Sequence, residues 1–197
     1  MAIAEAVRDH REPVDAHPTQ YHPRRTLMAT DYKANLLDWL RDAHAMEQQA
    51  ESMLKAQAER LENYPALKSR IEQHIQETLG QQRLLEEAIR RAGGSTSAIK
   101  DLAAKALAFG QGLAGMFMPD EVVKGAMSGY VFENMEIASY TVLIAAADAA
   151  GDTETRLMCE QILAEEVEMA NWLLSHLPEV TQAFLARDAA PGVEAKR

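Results

Sequence analysis

The feature that most constrains the fold is a set of four long segments in which apolar residues recur every three or four positions. Glycine and proline are absent from the interior of the first segment, which runs from Asp31 to about Asn63. This spacing is typical of amphipathic helices that bury one face. The sequence therefore predicts four long helices. They cover residues 31–63, 65–93, 119–150 and 153–176.

The residues between these segments predict how the helices are connected. Pro65 suits the first turn of the second helix, Gly93-Gly94 permits a left-handed cap at its end, and Gly151-Asp152 provides a turn and a cap before the fourth. Short turns make neighbouring helices antiparallel. The connection of about 25 residues between the second and third helices is long enough to cross from one end of the bundle to the other. We therefore predict an all-α antiparallel four-helix bundle, with a short helix in the crossover between Ser95 and Phe109.

Composition agrees with this interpretation and excludes other classes. The 197 residues are 47% hydrophobic and 25% charged but only 6% aromatic, which favours helix over β-sandwiches and barrels. Cys159 is the single cysteine, so the chain has no intramolecular disulfide. No apolar run approaches the roughly 20 residues of a membrane span. With a net charge of −10 and no apolar leader near the N-terminus, we expect a cytoplasmic protein that binds neither nucleic acid nor membrane.

The sequence divides into three regions. Residues 1–30 contain three prolines and three histidines without apolar periodicity, and we expect a flexible arm. Residues 31–177 form the bundle, and residues 178–197 form a C-terminal tail. The arm is interpreted as a solvated tail or a strap across a partner subunit, in preference to a metal-capturing segment, because scattered histidines lack fixed geometry.

Acidic residues stand where an inward helical stripe should be apolar. Glu47 lies at the centre of the stripe of the first helix, and Glu166 at the centre of that of the fourth. Each such residue, taken alone, is more often a boundary residue than a ligand. Their coincidence on four helices is what favours a site, because an unpaired buried carboxylate costs several kcal/mol. The candidate residues are Glu47, His74, Glu77, Gln81, Glu133, Glu136 and Glu166, with Tyr140 as a candidate hydrogen-bond donor to one of these carboxylates.

Bound cations would remove the repulsion among these acids. The usual two-metal solution in helical bundles takes one Glu from each of two helices and a Glu-x-x-His pair from each of the other two. This chain departs from that pattern, because Gly80 and Met169 stand three residues after Glu77 and Glu166, where His is expected.

The chain resembles the YciE/YciF family of ferritin-like proteins over residues 35–177. The motifs that carry the resemblance are Leu40-Arg41-Asp42-Ala43-His44-Ala45-Met46-Glu47, His74-Ile75-Gln76-Glu77-Thr78, Glu133-Asn134-Met135-Glu136-Ile137-Ala138-Ser139-Tyr140 and Glu165-Glu166. His44 replaces a usual Tyr, and Ala170 replaces a usual Asp. The resemblance implies a ferritin-like bundle, a homodimer or small homo-oligomer, and a dinuclear metal centre that is usually presumed to hold iron.

These observations support two hypotheses on function. The first is a di-iron carboxylate protein of a stress response that binds two Fe(II) ions per chain, with manganese as an alternative, and oxidises iron or consumes peroxide. Glu47 and Glu166 would be terminal ligands, Glu77 and Glu136 bridging or facing ligands, and Glu133 an additional one. Glu165 is the alternative to Glu166, which fits the inward stripe better. His74 and Gln81 would bind the metal or support its ligands. The second hypothesis is a metal-free helical stress or interaction module that acts as a homo-oligomer.

Overall fold

The structure is a computed structural model that describes residues 24–94 and 122–192. These residues form four α-helices and no strand, as predicted. Helix α1 spans Arg24–Ala58, α2 spans Pro65–Arg91, α3 spans Val122–Ala150 and α4 spans Thr153–Asp188.

Contacts between α1 and α3 show that these helices run in opposite directions. The Gln57 side chain lies against Gly125, and Tyr140 donates a hydrogen bond to Glu47. The residue number rises along α3 as it falls along α1, so the pair is antiparallel.

Contacts between α2 and α4 show that these two helices are also antiparallel. Gln81 bonds to Glu165, and Arg91 pairs with Glu154 at 3.1 Å. Short turns make α1–α2 and α3–α4 antiparallel as well. The four neighbouring pairs are thus all antiparallel, and α2 and α3 occupy diagonal corners of the bundle. The predicted antiparallel four-helix bundle is confirmed.

The connection from α2 to α3 joins opposite ends of the bundle. Gly94 lies beside Leu37, near the start of α1, whereas Gly125 lies beside Gln57, near its end. These two positions on α1 are 20 residues apart, which is about 30 Å at a rise of 1.5 Å per residue. The long crossover is therefore required by the positions of its ends. The short helix predicted within it lies outside the described residues.

The turn signals act as the sequence predicted. Pro65 occupies the first turn of α2, and Gly93 adopts the left-handed conformation with φ 85° after its end. Gly151 has φ 71°, and the Asp152 side chain accepts a hydrogen bond from the Thr155 N–H at 3.0 Å, which caps α4.

The limits of α1 differ from the predicted ones. The helix begins at Arg24, seven residues before the predicted start at Asp31, and no proline interrupts its 35 residues. It ends at Ala58, five residues before the predicted end. There the chain turns and buries Leu61 and Tyr64.

The predicted end of the fourth helix near His176 was wrong, because α4 continues through Pro178 to Asp188. A proline inside a helix costs about 3 kcal/mol. Val180 is buried and Phe184 packs against the core, so tertiary contacts offset this cost. The assignment of residues 178–197 to a tail did not anticipate this packing. The division into arm, bundle and tail is otherwise still a prediction.

An apolar core fills the bundle above and below its centre. Fully buried members come from every helix, and Cys159 is among them, as expected for a small apolar residue. Burial raises the pKa of the Cys159 thiol to about 12, with smaller contributions from Asp152 and Glu160. Within the described ranges, no helix combines the length and apolar character needed to cross a membrane.

The packing of the last turns of α4 predicts that truncation after Leu177 is destabilising. Loss of the buried Val180 and the partly buried Phe184 should lower the free energy of unfolding by about 2–4 kcal/mol. Urea unfolding followed by circular dichroism measures this difference. Truncation after Asp188 is the control and should leave the midpoint unchanged. Equal stability of the two truncated chains would show that residues 178–188 do not contribute to the core.

Candidate metal centre

The centre of the bundle contains a layer of buried polar side chains contributed by all four helices. Each of them would be an unfavourable core residue if it were unpaired. Their exposed fractions are 2% or less: Glu47 1%, His74 1%, Gln81 1%, Glu133 2%, Glu136 1% and Glu166 0%. The structure therefore brings together six of the seven residues that the sequence predicted.

His74 lies at the middle of this layer. Its Nε2 atom is 3.2 Å from Glu133 Oε2 and 3.4 Å from Glu166 Oε2. Together with Glu136, these residues offer four ligand atoms that all lie within 4.8 Å of one another. Ligands bound to one ion at about 2.0–2.2 Å are at most about 4.4 Å apart. Only small side-chain adjustments would be needed for these four groups to surround one cation.

Several buried oxygens in the layer have no hydrogen-bond partner. Both carboxylate oxygens of Glu136 and Oε2 of Glu47 are unpartnered, whereas Oε2 of Glu133 and Oε2 of Glu166 share a single contact with His74 Nε2. Buried polar atoms are nearly always hydrogen-bonded, so three unpartnered oxygens in one layer require an explanation. Carboxylate oxygens and an imidazole nitrogen are suitable ligands for divalent iron, manganese or zinc, and the residues therefore fit a metal site.

Other hydrogen bonds hold these carboxylates in place without occupying their free oxygens. The Tyr140 hydroxyl donates to Glu47 Oε1, in agreement with the role expected from the sequence. The Gln81 amide donates to Glu166 Oε1 and also to Glu165 Oε2, at 2.9 Å for the second bond. Glu166 is completely buried, whereas Glu165 is only partly buried, as the inward stripe indicated.

Glu77 does not join the group of ligand atoms. Its side chain is 21% exposed and accepts a hydrogen bond from Arg70 at 3.1 Å and from Gln73 at 2.8 Å. Its Oε2 atom is 2.7 Å from Nδ1 of His74, the ring nitrogen that faces away from Glu133. The carboxylate thus orients the imidazole, a role different from the bridging or facing ligand that the sequence predicted.

Burial and mutual repulsion change the protonation of the inner carboxyl groups. Burial is the main cause that raises the pKa of Glu47 and of Glu136 well above the usual range, and repulsion from neighbouring carboxylates adds to it. Burial also raises the pKa of Glu133 to about 7, although the hydrogen bond to His74 opposes this change. In the metal-free protein, these groups favour the protonated form.

His74 and Glu77 behave in the opposite way. Burial alone would lower the pKa of His74, but hydrogen bonds to Glu133, Glu166 and Glu77 outweigh it and raise the pKa to about 12. Burial would likewise raise the pKa of Glu77, but hydrogen bonds with His74, Arg70 and Gln73 lower it to about 2. Glu77 and His74 form an ion pair when no metal is bound.

Sequence reasoning missed Arg70, which is buried and supports Glu77. The signal was available, because Arg70 lies seven residues before Glu77 and therefore on nearly the same helical face. His44, three residues before Glu47 on α1, lies outside the ligand group. It is completely buried, and its Nε2 is 3.5 Å from Glu86 Oε1. Burial lowers its pKa.

The fold and the buried group together define the protein as a helical bundle with a candidate metal site. Sequence comparison matches residues 31–186 to the family described as "Domain of unknown function (DUF892)". The chain belongs to this family, which is of the ferritin-like type. A crystal structure of a protein from Xanthomonas campestris pv. campestris is similar to it, with 41% sequence identity and a TM-score of 0.68. The match covers 81% of this chain and 99% of the Xanthomonas chain.

The raised pKa of Glu133 predicts that the metal-free protein loses stability as the pH rises. Folded Glu133, with a pKa of about 7, keeps a proton that the unfolded chain releases near pH 4.5. The folded state therefore binds more protons between these values, and the free energy of unfolding falls across this window by about 3 kcal/mol. His74, whose pKa rises from 6.5 to about 12, extends the decline above pH 6.5.

Urea unfolding of chelator-treated protein at pH 5.0 and pH 7.5 measures this loss. The Glu133→Gln variant, which cannot ionise at position 133, should lose less stability than the unmodified protein between the two pH values. The same loss in both proteins would contradict the assignment to Glu133.

Proposed function

We propose that this chain is a ferritin-like carboxylate protein of the YciE/YciF type that binds two Fe(II) ions in the centre of its bundle. The observation that carries the proposal is the set of unpartnered carboxylate oxygens that face one another in a fully buried layer. The proposal explains why such a layer persists in the core of a stable bundle.

The electrostatic argument depends on the balance of charges. The buried layer contains four carboxyl groups but only one imidazole that can carry a positive charge. Arg70 is engaged with Glu77 at the rim. Four ionised carboxylates would therefore leave an excess of about three negative charges in a region of low dielectric constant, which costs several kcal/mol per ion. Two divalent cations would neutralise the carboxylates and bind the oxygens that lack hydrogen bonds.

The geometry supports a division of the residues between the two ions. His74 Nε2, Glu133, Glu136 and Glu166 are the group whose ligand atoms converge, and they would hold the first ion. Glu47 repels the Glu136 carboxylate strongly enough to raise its pKa, which indicates that the two groups are close. Its free oxygen, with shared oxygens of Glu136 and Glu166, would hold the second ion.

The donor set favours hard or borderline metals. Carboxylate oxygens with a single imidazole suit Fe(II) and Mn(II). Iron is the preferred ion because of the resemblance to the YciE/YciF family. A bound iron ion would supply redox chemistry toward dioxygen or peroxide. We propose that this activity serves a stress response, as that resemblance implies, and that the protein is cytoplasmic.

The protein's own residues prepare the site for this chemistry. Buried apolar residues of the core surround the layer. Tyr140 and Gln81 fix Glu47 and Glu166 through one oxygen each. The second oxygen of Glu47 has no hydrogen-bond partner, and that of Glu166 lies 3.4 Å from His74 Nε2. Glu77 holds the imidazole of His74 with Nε2 directed toward the carboxylates, which is a common arrangement around metal-ligating histidines.

The proposal predicts that the purified protein contains about two iron or manganese ions per chain after exposure to Fe(II) or Mn(II) without oxygen. Elemental mass spectrometry measures the content. Glu136→Gln, which keeps the shape of the side chain but removes its charge, should lose most of the bound metal. Glu72→Gln, at an exposed position of α2, is the matched control and should retain it.

Thermal unfolding completes this test. Metal should raise the melting temperature of the unmodified protein, because an ion that binds only the folded state stabilises it. Metal should leave the melting temperature of Glu136→Gln nearly unchanged. Absence of metal from the unmodified protein, with no change in melting temperature, would favour the metal-free interaction module.

A second prediction concerns Glu77, which orients His74 without binding metal in this proposal. Glu77→Gln should retain the site but weaken the affinity for Fe(II) about 10–100-fold, in line with other residues that support metal-ligating histidines. Anaerobic titration with Fe(II) in competition with a chelator measures the affinity. Gln73→Ala, which removes a neighbour of Glu77, should change the affinity much less. Complete loss of metal from Glu77→Gln would instead indicate that Glu77 is a direct ligand.

A further inference from the structure

His44 is a second buried histidine, and its ring is poorly satisfied. It is completely buried on α1. Within the described residues, its Nδ1 atom has no hydrogen-bond partner. Its Nε2 atom lies 3.5 Å from Glu86 Oε1 on α2, which is longer than a normal hydrogen bond. Buried polar atoms are nearly always hydrogen-bonded, so this imidazole requires an explanation of its own.

Glu86 connects His44 with the solvent. Its side chain is 36% exposed, whereas that of His44 is 1% exposed. One carboxylate oxygen, Oε2, accepts a hydrogen bond from Arg90 at 2.7 Å. The other oxygen faces His44 and is left for a further ligand. The pair therefore reaches from the surface of the bundle to its interior between α1 and α2.

The pair lies beside the candidate metal centre. His44 precedes Glu47 by three residues on α1, and Glu86 follows Gln82 by four residues on α2. The Gln82 amide crosses between the helices and donates a hydrogen bond to the backbone oxygen of Glu47 at 3.2 Å. His44 and Glu86 are therefore about one helical turn, or about 5 Å along the helix axes, from this contact.

The two side chains offer atoms that can bind one cation together. Ligands of one ion at about 2.0–2.2 Å are at most about 4.4 Å apart, and Nε2 and Oε1 are closer than this limit. Burial lowers the pKa of His44, although the nearby Glu86 carboxylate opposes the change. The ring is therefore neutral at neutral pH, which is the form that binds metals. Gln48 Oε1, one turn further along α1, is buried without a hydrogen-bond partner in the described part of the chain and is a further candidate donor.

An ion must pass between helices to reach the central layer, because the inner ligands are almost completely buried. The side at Glu77 is unsuitable for this passage. Arg70, which is itself buried, lies 3.1 Å from the Glu77 carboxylate, and its guanidinium group repels cations. The side at His44 instead combines a neutral ring with a carboxylate that is open to solvent.

We propose that His44 Nε2 and Glu86 Oε1 form a second site for divalent cations between α1 and α2, which binds Fe(II) or Mn(II) weakly and passes the ion to the central layer. The affinity is low because the protein supplies few ligands and water completes the coordination. Low affinity suits a site that releases its ion inward. The site goes beyond the proposed function, whereas the transfer of the ion rests on it.

NMR of the histidine rings tests the site in the Glu136→Gln protein, whose central layer should bind little metal. Mn(II) is the probe, because this paramagnetic ion broadens the signals of nearby nuclei. The His44 signals, assigned by their loss in His44→Leu, should broaden as Mn(II) is added. Addition of Glu86→Gln should raise the Mn(II) concentration required about tenfold, because affinity depends on the charge of the ligands. Glu87→Gln removes the same charge at the exposed neighbouring position and should leave the titration unchanged.

The rate of metal loading tests the transfer. The full-length protein is mixed with Mn(II), and excess chelator stops binding at set times before elemental mass spectrometry measures the bound manganese. His44→Leu and Glu86→Gln should reach the same final content as the unmodified protein, but about tenfold more slowly, because fewer cations collect at the entrance. Glu87→Gln should load at the unmodified rate. Circular dichroism checks the fold of His44→Leu, and Glu86→Gln tests the same step at a position near the surface.

Sharp His44 signals at high Mn(II) concentration would overturn the cation site. Unmodified loading rates in both His44→Leu and Glu86→Gln would overturn the transfer. Failure of the proposed function gives a different result, because the unmodified protein would then hold no metal in its central layer while the His44 signals still broadened. That result would support the cation site and contradict the transfer.

Discussion

The burial of four carboxyl groups around one imidazole is the constraint on which the rest of the structure depends. A core of this size could be filled with apolar residues alone, which would be more stable than an unpaired carboxylate in the same place. The chain instead places Glu47, Glu133, Glu136 and Glu166 in one layer. Each of them interrupts the otherwise apolar buried side of its helix. Such a layer is stable when its groups are protonated or when cations neutralise them, and the former condition fails as the pH rises.

The supporting residues show that the layer is organised and not merely tolerated. Each of these hydrogen bonds uses only one of the two polar atoms of the group that it holds. Tyr140 binds one oxygen of Glu47, Gln81 binds one oxygen of Glu166, and Glu77 binds Nδ1 of His74. Arg70 and Gln73 in turn hold Glu77. These hydrogen bonds fix the orientation of the remaining carboxylate oxygens and of the Nε2 atom. A metal site requires ligands that are oriented before the ion binds.

Helical periodicity was sufficient to predict the bundle and most of the inner layer. Glu47 and Glu166 stand at the centre of apolar stripes, so their burial follows from the pattern. Glu77 shares its helical side with His74, and only the packed structure shows that it stays at the rim, where Arg70 binds it. The continuation of α4 beyond Pro178 could not be predicted from local signals either. It depends on the burial of Val180, a tertiary contact that overrides the cost of the proline.

Helix α3 reverses the usual amphipathic pattern, because its charges face inward and its outward side is apolar. Neither side is favourable in an isolated bundle in water: the inner one lacks counter-charges, and the outer one exposes Met127, Val131 and Val142. The cations of the proposed metal centre would compensate the inner side. The apolar outer side is a separate feature of the helix, since it concerns apolar area and not charge.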